Sequence, residues 1–286
     1  MPGSNARAIA KAKDLPVDCV VLDLEDSVAP EAKAEARAQV LDAVGGGGFG
    51  AREVIVRING LETEWWLDDI NGASRVKPDA VLIPKVSSPG NLHDVATRLV
   101  DIGADQKIRI WAMMETPLAI LYAREIAASA TDVETRLACF VMGTNDLARE
   151  TRTRILPRRS AMRLWLMTCI AAARAFGLGI LDGVYNDIGD AEGFARECGE
   201  ASNMGFDGKA IIHPNQIDAC NLAFTPTPED VAQAREIVAA FDRPENAGKG
   251  VIALNGRMIE RLHAEMARRT LAISDAIAQR SRETAG

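Results

Sequence analysis

The segment I-R-I-W-A-M-M-E-T-P, residues 108–117, is apolar for most of its length and ends on a single acid, Glu115. A short run that is continuously apolar, rather than alternating, is the pattern of a strand buried on both faces of a parallel sheet. A second run, L-A-C-F-V-M-G-T-N-D at 137–146, ends in the same way on Asp146. Two carboxylates at the ends of neighbouring buried strands suit one divalent cation, Mg2+ with Mn2+ as its substitute. Mg2+ takes oxygen ligands and keeps several positions for water or substrate, so one or two carboxylates suffice. The alternative is an N-cap or turn role, since Thr116-Pro117 and Leu147-Ala148 lead on into helices.

The same unit recurs on either side of this pair. Cys19–Leu24 runs into Glu25-Asp26, Glu53–Ile58 into Asn59-Gly60, and Ala80–Ile83 into Pro84-Lys85. Gly179–Leu181 runs into Asp182-Gly183, and Ala210–Ile212 into His213-Pro214. Helical patterns lie between them, at Trp65–Asn71, Asn91–Gly103, Leu118–Ala128, Arg158–Phe176 and Ala191–Met204. An opening helix, capped by Ser4 or Asn5, reaches about Lys13. Strands that each deliver polar residues at their C-terminal ends predict a TIM (β/α)8-type barrel over residues 1–217. An open doubly wound sheet would gather its chemistry at one switch point. Residues 218–286 predict a C-terminal helical extension: a helix at Pro228–Phe241, a hairpin after Gly248, and a long helix from Met258 to about Arg280. Such an appendage covers the barrel mouth or packs on a neighbouring subunit.

The 286 residues, 48% hydrophobic, are enough for one large barrel. A net charge of −7 without a basic stripe argues against nucleic acid and against an anionic membrane surface. Five cysteines, with no C-x-x-C among them, point to a reduced, cytoplasmic protein without a disulfide frame or zinc site. No signal peptide is visible, and no apolar run approaches the ~18 residues of a membrane span.

Arg57 lies inside the otherwise apolar V-I-V-R-I-N, where a cation is costly unless paired or functional. A salt bridge to Glu25 or Asp26 would position it, leaving the guanidinium to stabilise a developing oxyanion. Asp23 and Glu25 share one face of their strand, and Leu24 and Asp26 the other. Glu25, Asp26 and Lys85 form the supporting shell of the site. Asn145, beside Asp146, joins Arg57 as a substrate contact. His213 reads as structural. Arg7, Lys11 and Lys13 crowd the first helix after a Pro-Gly-Ser-Asn loop, an arrangement that can hold phosphate.

These pieces resemble the HpcH/HpaI aldolase superfamily and, within it, the citrate lyase β-subunit-like (CitE-like) CoA-ester lyases. The similar motifs are P-G-S-N-A-R (2–7), V-L-D-L-E-D-S-V (21–28), V-R-I-N (56–59), I-P-K-V (83–86), M-E-T-P (114–117), G-T-N-D-L-A (143–148), D-G-V (182–184) and G-K-A-I-I-H-P-N-Q (208–216). G-K-G-V-I-A-L-N-G-R-M-I-E (248–260) is a weaker match. The resemblance implies a Mg2+-dependent carbon–carbon lyase that cleaves or forms a 3-hydroxyacyl-CoA, such as malyl-CoA, citramalyl-CoA or a citryl thioester. The products are an acyl-CoA and a 2-oxo acid. It further implies metal ligands at Glu115 and Asp146, an enolate-stabilising Arg57, CoA or substrate contacts near Arg7 and Lys13, and a homo-oligomer, trimeric or hexameric. Two other readings go with the same site: a malyl-CoA thioesterase and a non-catalytic, ligand-binding paralogue.

The chain departs from the family pattern in three places. Sister aldolases acting on free pyruvate carry a histidine where this chain has Asp26, which points to a thioester substrate. The family's M-I-D, an acid/base contributed by a neighbouring subunit, becomes Met258-Ile259-Glu260, which moves the carboxylate by about one methylene. Relatives also have an apolar strand just ahead of Pro-Gly. Seven strands are therefore expected here, in a barrel whose first strand is missing and whose seam lies beside Cys19–Leu24.

Overall fold

The computed structural model describes residues 1–285, the side chains at 281 and 283–285 excepted. The chain divides into two compact units, Met1–Ala223 and Phe224–Gly286. Among the described residues, no helix is long and apolar enough to cross a membrane.

The first unit is an α/β unit built on seven parallel strands in sequential order: β1 (Cys19–Asp23), β2 (Glu53–Arg57), β3 (Ala80–Ile83), β4 (Arg109–Met114), β5 (Leu137–Met142), β6 (Gly179–Asp182) and β7 (Gly208–Lys209). Each strand pairs with the next one in the chain, which is the winding of a barrel and not of a doubly wound sheet. Helices α1 (Ala6–Ala12), α2 (Lys33–Gly45), α3 (Trp66–Val76), α4 (Pro89–Asp101), α5 (Pro117–Leu121), α6 (Ala123–Ala128), α7 (Thr144–Thr151), α8 (Arg163–Ala175), α9 (Ala191–Met204) and α10 (Ile217–Phe224) alternate with them.

Among the described residues the sheet has seven strands, the number expected, and no ladder joins β7 to β1. Instead Met1–Gly3 lies along the free edge of β1. The Met1 nitrogen donates to Val21 O at 2.7 Å, Asp23 N–H to Met1 O at 2.9 Å, and Gly3 N–H to Asp23 O at 2.8 Å. The Pro-Gly segment expected as loop thus covers part of an exposed strand edge.

Strict alternation sorts the strand residues into two layers. Ile55, Leu82, Trp111 and Val141 form one apolar cluster with Val21, Met113 and Leu181 packed against it. Asp23, Arg57 and Glu115 share their parity and so extend that same face toward the C-terminal ends of the strands. Leu22, Ile110, Phe140 and Ile180 have the opposite parity and are fully buried.

Several boundaries move for local reasons. β7 occupies Gly208–Lys209, not Ala210–Ile212. The Ile212 and His213 N–H groups donate to the Gln216 side chain, so the chain has already turned there. Leu118–Ala128 is interrupted at Tyr122 (φ −105°), between α5 and α6. α8 begins at Arg163 because Arg158 and Arg159 are left-handed (φ 61° and 48°). β5 stops at Met142, and Asp146 belongs to the first turn of α7.

The second unit holds α11 (Pro228–Phe241), the antiparallel hairpin β8 (Val251–Leu254) and β9 (Arg257–Glu260), and α12 (Arg261–Ala285). Asn255 and Gly256 both have positive φ, 52° and 76°, as a two-residue type I′ hairpin turn requires. Met258–Glu260, expected as the start of the long helix, is drawn into this hairpin. Ile237, Phe241, Ile252, Ile259 and Ala264 form the unit's core.

Candidate active site

Register places Asp23 directly opposite Arg57 on neighbouring strands. Arg57 Nε donates to Asp23 Oδ1 and Nη2 to Oδ2, both at 2.6 Å, the forked geometry that makes arginine–carboxylate pairs strong. Nη1 lies 3.0 Å from Glu25 Oε2. The main partner of Arg57 is therefore Asp23, and not Glu25 or Asp26. Burial works against the Arg57 charge, but the two acids outweigh it and raise its pKa. Burial likewise pushes the Asp23 carboxyl up, but Arg57 and Ser27 hold it at about 2. Burial raises the Glu25 carboxyl, although Arg57 and Lys85 oppose the shift.

A carboxyl held below its unfolded value contributes stability that is present above the unfolded pKa and is lost as pH falls toward the folded one. Asp23→Asn should therefore cost about 2 kcal/mol at neutral pH. Urea midpoints should show the gap to the parent chain narrowing below pH ~4.

Lys85 links the two halves of the site. It follows β3 in a left-handed conformation (φ 52°), unusual for a residue with a side chain. Its backbone N–H donates to Glu115 Oε1 at 2.8 Å. Its ammonium is paired with Glu25 and lies 3.3 Å from the exposed Asp26. Burial lowers its pKa, but Glu25 reverses the shift and leaves it raised.

Thr116 caps α5 by accepting the Ala119 N–H at 3.0 Å, so a helix starts directly after Glu115. Glu115 is only 1% exposed. Burial pushes its carboxyl up to about 7, the nearby Asp146 charge adds to this, and the Lys85 N–H and Arg57 oppose it. A Cβ on Gly143 would overlap the Glu115 carboxylate, so the glycine permits that close approach. Asp146 Oδ1 is buried with no hydrogen-bond donor. Arg149 Nη2 lies 2.7 Å from it, without hydrogen-bond alignment.

A destabilised buried carboxyl beside a carboxylate oxygen that is ion-paired but accepts no hydrogen bond is a pair that a divalent cation would satisfy. Among the described residues there is no group of three or more His, Cys, Asp or Glu side chains able to hold a metal. The other coordination positions would then fall to water or substrate, which fits Mg2+.

The remaining candidates lie outside this cluster. Asn145 is exposed and exchanges amide hydrogen bonds with Asn186, at 3.0 and 2.7 Å. Among the described residues, no hydrogen bond or ion pair ties Arg7 or Lys13 to the cluster. Arg7 is exposed, while Lys13 donates to Gly47 O at 2.6 Å and sits over the Phe49 ring. Asp182 has the outward parity of β6 and is locked against Arg159 at 2.5 Å and Lys209 at 2.7 Å. His213 Nδ1 accepts the Asn215 N–H, a local cap. In the second unit, Glu260 ends β9 opposite Val251, and its N–H donates to His263 Nδ1.

The sequence did not single out three features: the Asp23 fork, the clearance at Gly143 and the Lys85 backbone donor. Of these only the fork had a signal, the shared parity of Asp23 and Arg57 once their strands are paired.

Residues 1–214 match the model of the HpcH/HpaI aldolase/citrate lyase family. The chain is 45% identical over 278 residues to a (3S)-malyl-CoA thioesterase from Cereibacter sphaeroides, covering 97% of this chain and 94% of that one. It is 33% identical over 265 residues to the citrate lyase subunit beta of Escherichia coli K12, covering 91% and 86%. Its structure is similar to that of CitE from Mycobacterium tuberculosis in complex with magnesium, acetoacetate and coenzyme A. The TM-score is 0.77 at 29% identity, with 96% of each chain covered.

Proposed function

The chain belongs to the HpcH/HpaI aldolase/citrate lyase family, and on that footing we propose that it is a Mg2+-dependent thioesterase acting on a malyl-type CoA thioester. The observation that carries this reading is the 45% identity to a (3S)-malyl-CoA thioesterase along nearly the whole of both chains. The magnesium, acetoacetate and coenzyme A bound by the similar CitE protein support the same ligand classes.

Glu115 and Asp146 are the residues that would hold Mg2+, which when bound would supply Lewis-acid polarisation of a substrate oxygen. Arg57, immobilised by Asp23 and Glu25, stabilises charge on the thioester carbonyl oxygen as water adds to the carbonyl carbon. The carbon–sulfur bond then breaks. Sulfur leaves with the electron pair and takes up one proton, the second proton of the water goes to solvent, and the free carboxylate remains. Lys85 holds Glu115 through its backbone and Glu25 through its ammonium. Asn145 contacts the substrate.

A second reading is favoured by the placing of a fixed arginine beside two carboxylates, which suits an enolate equally well. Here the hydroxyl proton is removed, with Glu260 of a neighbouring copy as candidate acid/base; the carbon–carbon bond breaks, its electron pair passes to the thioester enolate, and that enolate takes up a proton at carbon, giving glyoxylate and acetyl-CoA from malyl-CoA. Time-resolved product analysis with (3S)-malyl-CoA and Mg2+ decides between them. Malate and free CoA should rise together without glyoxylate. Glyoxylate with acetyl-CoA would replace the thioesterase by the lyase. Mg2+ binding without turnover of any hydroxyacyl-CoA would leave a non-catalytic, ligand-binding protein.

A further inference from the structure

Two cations on α2 lie one helical turn apart and reach the turns on either side of Arg57. Lys33, the first residue of the helix, is 6% exposed. Its ammonium donates to Leu24 O at 2.8 Å and to Glu25 O at 2.7 Å, and it lies 5.3 Å from the centre of the Trp65 ring. Among the described residues no carboxylate comes within ion-pair distance of it. A buried ammonium is costly, and here its hydrogen bonds go to two consecutive main-chain carbonyls. What those bonds define is the shape of the turn that carries Glu25, whose carboxylate holds both Arg57 and Lys85.

Arg37, four residues on, does the same for the turn after β2. Its Nε donates to Asp69 Oδ1 at 2.7 Å, and its Nη2 to Trp65 O at 3.2 Å. The other oxygen of Asp69 accepts both the backbone N–H of Asn59, at 2.9 Å, and its side-chain amide, at 2.7 Å. Asn59 follows Arg57 by two residues. We infer that α2 is the positioning element of the site: Lys33 and Arg37 fix the turns flanking Arg57 and thereby place its guanidinium. Neither need touch substrate, so both are positioning residues. The inference rests on Arg57 acting on the thioester as proposed above.

The test uses the full chain with Mg2+ and (3S)-malyl-CoA. Lys33→Met keeps the length and removes the donors. Its kcat should fall about 100-fold, because misplacing a reacting group by ~1 Å has that effect. KM should change less than ~3-fold, since binding contacts are untouched. In an Arg57→Ala background the same change should add nothing, as expected when one residue acts through another. Val95→Ala in the buried face of α4 is the control, destabilising but with kcat retained. Arg37→Lys, which keeps a cation near Asp69 but not the fork, is the second variant and should lose roughly tenfold in kcat.

Hydrogen exchange gives a readout free of turnover. The amides of Leu24–Val28 should exchange faster in Lys33→Met, and those of β4 and β5 should not. The inference is overturned if Lys33→Met slows turnover no more than Val95→Ala, or if its effect multiplies with that of Arg57→Ala. If the parent chain turns over no malyl-CoA, the proposed function fails. Unchanged exchange at Leu24–Val28 would then overturn the positioning role on its own.

Discussion

Glu115→Gln is expected to reduce Mg2+-dependent turnover by at least ~10³-fold, equivalent to about 4 kcal/mol of transition-state stabilisation. The substitution is nearly isosteric, and a glutamine oxygen can still accept the Lys85 N–H. What it removes is the charge. Because burial and the neighbouring Asp146 disfavour that charge in the metal-free protein, its loss should not destabilise the chain. Mg2+ should raise the melting temperature of the parent chain and not that of the variant. Asp146→Asn should behave alike, for a different reason: it removes the charge of the carboxylate whose buried Oδ1 accepts no hydrogen bond. Thermal shift with and without Mg2+, beside turnover, checks both. Metal-dependent turnover surviving in both variants would remove Mg2+ from the site.

Arg57→Lys is expected to lower kcat by 10²–10³-fold, roughly the effect of removing one oxyanion-stabilising donor, while leaving the Mg2+-induced thermal shift intact. A lysine offers a point charge in place of a fork, so it cannot hold both Asp23 oxygens and also face the substrate. The charge balance with Asp23 and Glu25 survives, which keeps the variant folded. Arg57→Ala is the harsher change: it leaves the buried Asp23 without its ion-pair partner, a defect of about 3–5 kcal/mol, while Glu25 retains Lys85. The contrast between the residues is the informative part. Glu115 variants should lose metal and turnover together, whereas Arg57→Lys should lose turnover alone. Loss of Mg2+ binding in Arg57→Lys would show that the arginine supports the metal pair and not the reacting charge.

Glu115 was readable because an acid closing a continuous apolar run, followed by Thr-Pro, marks both a buried strand and the position just past its end. Arg57 was readable for the converse reason, a cation inside such a run. Its ion pair with Glu25 was readable too, but its main partner was not. Asp23, Glu25 and Asp26 all lay within reach in sequence, and only the register of β1 against β2 sets Asp23 opposite it. Asp182 was misleading, because the end of a strand does not say which face the last side chain takes. The Ala210–Ile212 run was apolar enough to read as a strand, yet the Gln216 side chain takes the N–H groups of Ile212 and His213, and the ladder ends at Lys209. The site's supports were hidden more deeply. Lys33 sits in an Ala-Glu-Lys-Arg helix whose composition matches any solvated helix face.

By itself the sequence determined the alternation of buried strands and helices, the sequential parallel winding, the arginine ending β2 and the acid just past β4. These follow from periodicity and local chemistry, which act over a few residues. Tertiary structure alone decided that Asp23 clasps Arg57, that a left-handed Lys85 turns its N–H to Glu115, that Gly143 leaves room for that carboxylate, and that Met1–Gly3 lies on the open edge of β1. Each of these joins positions distant in the chain. Hydrogen bonds and ion pairs select partners by direction and distance within tenths of an ångström, and only the register between strands supplies that precision.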